Sequence, residues 1–375
     1  MKRNKRLYSA SVWVVIILVA AVVGVSLGVW SSSEANTSGF NIISWSALLF
    51  MLLWLVLATF LHELGHLLMG YATGYKFVFF KLFGVIFYKH GGKWTTMRDK
   101  ANGAIGQCLM QPDFPYGDKM PYVLYNIGGV LMNIVCAAIL VAFVFIYSAN
   151  DFAVTGIIVN GIFFLINAIP ARSLQNDGYN VLEISRGAVC KKAYYTELKT
   201  TAAMLEGKTF SDMAEEMFDF DTDGVKYPAV CSALYISYCY LVSSGKQERA
   251  DGMIEALYAK KDDMPLSHAN TFSVEYFNNL ILFRDDRVKA AELYNSFDMT
   301  IKNAIQRTPV PFTVIARMMV NALSAHDDRR YTADRILLEK IIDYSRNAAE
   351  AEYLGVLLRK AGQRWAESAQ DPFDL

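Results

Sequence analysis

Three ionisable residues stand alone in an apolar stretch of this sequence. Within residues 44–68 the only titratable side chains are His62, Glu63 and His66, in the order Phe60-Leu61-His62-Glu63-Leu64-Gly65-His66-Leu67. A titratable group at membrane depth is costly and faces a cavity or another polar group, so it marks a functional site. On a helix, residues four apart share a face, which lets His62 and His66 offer two imidazole nitrogens to one metal ion. Glu63, beside the first histidine, can then act as general base on a water at that ion. A chance match, or a histidine pair merely packed in a bundle, is the bland alternative. Further pieces of the same chemistry downstream argue against it.

A catalytic zinc site needs a third protein ligand and an open position. The stretch Asn167-Ala168-Ile169-Pro170-Ala171-Arg172-Ser173-Leu174-Gln175-Asn176-Asp177-Gly178 offers a candidate. Pro170 breaks the preceding apolar helix, and Asp177-Gly178 marks a turn. Asp177 is a carboxylate that can fold back toward the histidines.

The elements that must position these groups are apolar. The chain has 375 residues, no net charge and a 54% hydrophobic content concentrated in its first 170 residues. Length suggests two or three domains. Four membrane segments are predicted, near 11–30, 44–70, 122–147 and 152–170, most of them reaching the roughly 20 residues a spanning helix needs. Lys2, Arg3, Lys5 and Arg6 precede the first segment, and lysines and Arg98 crowd the loop 73–121. The positive-inside bias therefore places the N-terminus, the basic loop and everything after residue 170 in the cytoplasm. The first segment is read as an uncleaved helix rather than a signal peptide. His62 lies roughly 27 Å along the second helix from its start, in the cytoplasmic third of the bilayer.

The aromatic and β-branched run at residues 75–88 predicts a small cytoplasmic β-hairpin bent near Gly84. Its edge could hold an extended peptide by strand addition. Residues 89–121 read as irregular. In the third segment, Gly128, Gly129 and Asn133 read as packing residues of a helix pair. Cys108, Cys136, Cys190, Cys231 and Cys239 are scattered, and neither a disulfide framework nor a cysteine metal site is expected. Beyond residue 185 the pattern is helical. Ala250, Ala290 and Ala333 recur near a 40-residue period after polar turns, consistent with helix-pair repeats of tetratricopeptide type or with an irregular bundle. His268 and His326 read as solvated loop residues. Asp219, Asp221 and Asp223 read as a solvated turn, because Val230 stands where a calcium loop needs its closing acid.

Taken together, His62-Glu63-Leu64-Gly65-His66, Gly129-Val130-Leu131-Met132-Asn133, Asn167-Ala168-Ile169-Pro170 and Asp177-Gly178 resemble the site-2 protease family of intramembrane zinc metalloproteases. The resemblance covers roughly residues 40–185. It implies one zinc ion held by His62, His66 and Asp177, with Glu63 as the catalytic residue and Asn167 helping to hold the substrate. Asp177 lies farther beyond Pro170 than the family pattern has it, and follows Asn176 where the family often has Leu.

The expected fold is thus an α-helical membrane protein with four transmembrane helices, the β-hairpin and an all-α soluble domain. Its parts are an N-terminal helix and outer loop (1–40), a metalloprotease core (41–185) and a cytoplasmic helical domain (186–375). The expected function is intramembrane zinc endopeptidase. Its expected partners are the lipid bilayer, a membrane-protein or peptide-precursor substrate, and a protein docked on the helical domain. No nucleic acid is expected, and a bacterial cell membrane is the expected location. Two alternatives come from other classes: a catalytically silent relative that binds membrane segments, and a transporter with a metal-sensing pair.

Overall fold

A computed structural model describes residues 45–90, 92–98, 105–117, 119–324, 327–345 and 347–368. The described residues divide into two compact units, one ending at Arg186 and the other beginning at Gly187. The first of the four predicted membrane segments lies outside the described residues, as does His326.

The first unit holds three helices long and apolar enough to cross a membrane. They are α1 (Trp45–Ala72), α2 (Tyr122–Tyr147) and α3 (Asp151–Ala168). No charged residue interrupts α1 except Glu63, and α2 carries none. Without a hydrophobic drive between helices in lipid, close packing needs small residues. Gly65 and Gly128 supply it: a Cβ on Gly65 would stand 2.2 Å from the Gly128 carbonyl oxygen, and one on Gly128 2.5 Å from that of Gly65. The backbones of α1 and α2 therefore touch beside the histidines. Asn150 starts α3 by accepting from the Ala153 amide at 2.9 Å, as an N-cap should. The Trp54 indole donates to the Phe152 carbonyl at 2.8 Å, tying α1 to α3.

Between α1 and α2 lies a four-stranded antiparallel sheet, β1 (Tyr75–Leu82), β2 (Val85–His90), β3 (Lys93–Arg98) and β4 (Gly106–Pro112), in the order β3-β2-β1-β4. The predicted hairpin is β1-β2. Its two-residue turn, Phe83-Gly84, has φ of 48° and 76°, the positive pair that matches hairpin twist. The stretch read as irregular supplies two more strands. Lys93–Arg98 lacks an apolar alternation because it is an outer strand, and β4 is a short apolar run without period. The register of β4 on β1 shifts between Phe77 and Phe79, the mark of a bulge.

After α3 the chain turns into a short helix, α4 (Asp177–Ile184). The second unit is wholly helical in its regular elements: α5 (Ala188–Leu205), α6 (Pro228–Ser243), α7 (Gln247–Ala259), α8 (Leu266–Asn279, continued by a π turn to Arg284), α9 (Arg287–Ser296), α10 (Met299–Arg307), α11 (Pro311–Ser324), α12 (Asp328–Tyr344) and α13 (Ala348–Ser368). Its core is one large apolar cluster running from Cys190 to Ala361. Polar turns fall at the ends of α6 and α8, where the repeat pattern puts them. Ala250 and Ala290 are fully buried at helix contacts, whereas Ala333 is exposed. The third copy of the pattern is therefore out of phase with the first two. His268 lies in the first turn of α8 rather than in a loop. All five cysteines are free thiols.

Candidate metal centre

His62 and His66 occupy one face of α1, and both are buried. Their Nε2 atoms stand 3.2 Å apart. Asp177 reaches them from the first turn of α4: its Oδ2 is 3.1 Å from His62 Nε2 and 3.4 Å from His66 Nε2. Among the described residues these three form the one group of His, Cys, Asp and Glu arranged to hold a metal ion.

The tautomers follow from the partners on the far side of each ring. His62 Nδ1 lies 2.6 Å from Asn133 Oδ1. That oxygen only accepts, so Nδ1 carries the proton and Nε2 presents a lone pair. The assignment of Asn133 is anchored further out. Its Nδ2 donates to Asn160 Oδ1 at 2.9 Å, and Asn160 Nδ2 donates to the Gly156 carbonyl at 2.9 Å. A backbone carbonyl cannot donate, so the relay runs in one sense only. His66 Nδ1 likewise donates to the Tyr125 carbonyl, at 2.9 Å.

Two imidazole lone pairs and a carboxylate oxygen therefore converge. Asp177 Oδ2 is buried and takes no hydrogen bond from the protein. Such a set repels itself unless a cation sits among its members. Tetrahedral ligands at about 2.0–2.1 Å from zinc stand roughly 3.3–3.4 Å from one another, close to the three separations here. Donor chemistry and spacing fit a divalent, zinc-like ion. Space fits as well. A Cβ on Gly129 would fall 2.5 Å from His62 Nε2 and 2.6 Å from His66 Nε2, so only glycine leaves room at that turn of α2.

Asn176 explains how the longer loop after Pro170 still delivers Asp177. Its Oδ1 accepts from the Tyr179 and Ala171 amides at 3.0 and 3.1 Å. Its Nδ2 donates to the Ile166 and Ile169 carbonyls at the end of α3. One side chain thus caps α4 and sews it to α3. Gly178 completes the approach, since a Cβ there would meet the Ala168 carbonyl oxygen at 2.4 Å.

Glu63 is buried on α1 beside His62. The Cys108 amide of β4 donates to its carboxylate. A Cβ on Gly106 would come within 2.6 Å of Glu63 Oε1. The strand over the carboxylate is therefore β4, not the β1-β2 hairpin. Tyr125 fixes it there, donating to the Cys108 carbonyl at 2.8 Å and accepting from the Met110 amide at 3.2 Å. Asn167 points elsewhere: its amide donates to the Phe163 carbonyl, 3.0 Å away and one turn back.

Sequence reasoning brings together His62, Glu63, His66 and Asp177 but, beyond matching Gly129 and Asn133 to the family's short pattern, gives those two only a packing role, and it passes over Asn160 and Tyr125. An intramembrane Asn in each of two neighbouring segments is the available signal for Asn133 and Asn160, because a buried amide needs a partner.

A family model described as peptidase family M50 matches residues 50–328, which include every residue of this centre. No curated protein and no solved structure gave a match.

Proposed function

The chain belongs to peptidase family M50, the site-2 protease family, and from that premise we propose that it is an intramembrane zinc endopeptidase. Its substrate would be a membrane-tethered protein, cut at a peptide bond in or near a transmembrane segment. The observation that carries this reading is the convergence of three lone pairs from His62, His66 and Asp177 beside Glu63, within helices apolar enough to span a bilayer.

Zinc held by His62, His66 and Asp177 would acidify a water and polarise the scissile carbonyl. The chain's own groups do the rest. Glu63 takes a proton from the attacking water as its oxygen bonds to the carbonyl carbon. It returns that proton to the leaving amine as the carbon–nitrogen bond breaks. Asn133 and the Tyr125 carbonyl hold the two imidazoles in the tautomer that leaves Nε2 unprotonated, which is the usual work of such partners.

A helical substrate has its backbone groups satisfied internally and must unwind before it is cut. An unwound strand can pair with a sheet edge. We assign that role to β4 in place of the hairpin, because β4 is an outer strand and runs over Glu63. Asn167 is kept in the proposal as a substrate contact, reached by turning its amide away from Phe163. The N-terminus and the helical unit are proposed to lie on the cytoplasmic side, from the charge bias of the loops.

Glu63→Gln tests the reading. The protein, purified in lipid nanodiscs, should keep its zinc while cleavage of a reconstituted membrane substrate falls by roughly 10²–10⁴-fold, the worth of a general base. Zinc-free wild-type protein, or a Gln variant cutting at the parent rate, would reject it.

A further inference from the structure

The second unit contains a half-open cavity of about 480 Å³ between α6, α8 and the first turns of α11 and α13. It is not a packing defect. Interiors pack densely, and removing a large core side chain leaves only about 150 Å³. The volume instead falls within the range of about 300–1,000 Å³ found for ligand sites.

Its chemistry is selective. Ile236, Phe272, Phe312 and Leu354 make apolar walls. Tyr235 and Tyr353 also line the cavity, and both rings are held by their hydroxyls. Their hydroxyls donate to the same oxygen of the fully buried Glu275, at 3.2 and 3.1 Å, and Asn278 donates to the other at 3.3 Å. These two rings are thus tied in place before anything binds. Polar groups also line it: Ser232 Oγ and His268 Nε2, 3.4 Å apart, with Asn347 and Glu350. Glu350 is the one charged side chain among the lining residues, and no Lys or Arg is among them. Acidic side chains also outnumber basic ones across residues 187–375, the reverse of residues 1–186. A phosphate or a fatty-acid carboxylate would find no counter-charge here.

We propose that this cavity binds a short peptide segment that inserts one bulky apolar side chain and presents a lysine or arginine to Glu350. Peptides of that composition flank membrane helices on the cytoplasmic side, where Lys and Arg accumulate beside apolar spans. The cavity would therefore take the cytoplasmic flank of a membrane-protein substrate. Only the source of the peptide rests on the protease reading; the chemistry of the cavity stands without it.

The test is binding, measured apart from cleavage. Full-length Glu63→Gln protein in nanodiscs is titrated into a fluorescein-labelled, amidated peptide of one Phe flanked by two lysines on each side. Fluorescence anisotropy should give saturable binding. Filling the cavity with Ile236→Trp, or with Thr271→Trp should the first variant fail to fold, should weaken it by at least about tenfold, as expected for an anchor residue. Glu350→Gln should weaken it by about threefold, the scale of a rim charge pair. Circular dichroism melts establish that the variants are folded. The proposal is overturned if no binding is seen, if folded cavity-filled protein binds as well as the parent, or if peptides with Gly for Phe or Glu for Lys bind equally well. Failure of the zinc-loaded wild-type protein to cleave any reconstituted membrane substrate, with this binding intact, would sink the protease reading and leave the cavity assignment standing.

Discussion

The two units bury opposite things. Up to Arg186 many large apolar side chains of the long helices point outward, Leu52, Val135, Ile139 and Phe145 among them, while His62, Glu63, His66, Asn126, Asn133 and Asn160 are buried together with a smaller apolar set that includes Trp54 and Val159. From Gly187 on, the interior is a continuous apolar core and the charges lie outside, with Glu275 and the Arg317–Asp334 pair as the notable polar exceptions. The solvents differ. Lipid does not drive apolar residues inward, so a membrane unit can dedicate its interior to polar groups. Water does drive them inward, and a charge buried in such an apolar core needs hydrogen-bond partners.

The exceptions show the rule. Glu275 has three donors. Arg317 holds Asp334 through both its Nε and Nη2, at 2.6–3.0 Å. The metal centre, in contrast, ends in an oxygen of Asp177 with no donor. In the helical unit the buried carboxylates of Glu275 and Asp334 are thus matched by donors, although neutral atoms such as Asn278 Oδ1 and Asn279 Oδ1 have no partner. The metal centre instead leaves a carboxylate oxygen without a donor beside two imidazole lone pairs, which is where a cation belongs.

The contrast breaks most sharply at that oxygen. Asp177→Ala should abolish zinc retention and lower cleavage by at least roughly 10³-fold, since the site then has two ligands only. Asn176 still caps α4, so circular dichroism should show the helix content unchanged. Metal analysis of the purified variant decides it, and parent-level zinc would mean that the open point lies elsewhere.

The Glu275 network makes a different prediction. Burial pushes Glu275 up to about 7, against the donors Asn278, Tyr353 and Tyr235. A carboxyl raised in the folded state favours folding while protonated, and that contribution fades as pH rises from its unfolded value toward and through about 7. The second unit should therefore lose up to about 3 kcal/mol between roughly pH 4.5 and 8.5, because each tenfold change in proton affinity is worth about 1.4 kcal/mol. Hydrogen exchange of the α8 amides in the full chain reports it locally. Glu275→Gln should flatten the pH slope, and an unaltered slope would show that another group sets it.

The smallest expected effect tests the relay behind His62. Asn133→Leu removes the acceptor that fixes the imidazole tautomer and leaves Asn160 without a donor. Zinc affinity should fall by about 10–100-fold, the usual cost of losing such a partner. Competition against a chelator measures it. A fall no greater than that of Val130→Ala, a packing change on the same helix, would return Asn133 to a structural role.

Much of this is legible in the chain because the relevant signals are local. An apolar run without breakers specifies a spanning helix, and two histidines four residues apart on that helix share a face whatever else the protein does. Pro170, Asn176, Asp177 and Gly178 similarly carry a helix stop, a cap and a turn within one short stretch. The helix ends and polar turns near Ala250 and Ala290 also announce themselves locally, whereas Ala333 misleads because a matching turn does not fix the phase of the helix that follows.

Other features belong to the tertiary structure alone. His62 and Asn133 are 71 positions apart, and nothing in either segment says which neighbour an amide will face. Strands β3 and β4 carry no alternation to reveal them, and their order in the sheet, not their composition, brings β4 over Glu63. The cavity in the helical unit is made where four helices fail to close, an outcome of packing that no single helix encodes. Residue types and spacing determined the chemistry that was possible; long-range contacts, which depend on all the elements at once, decided where it converges.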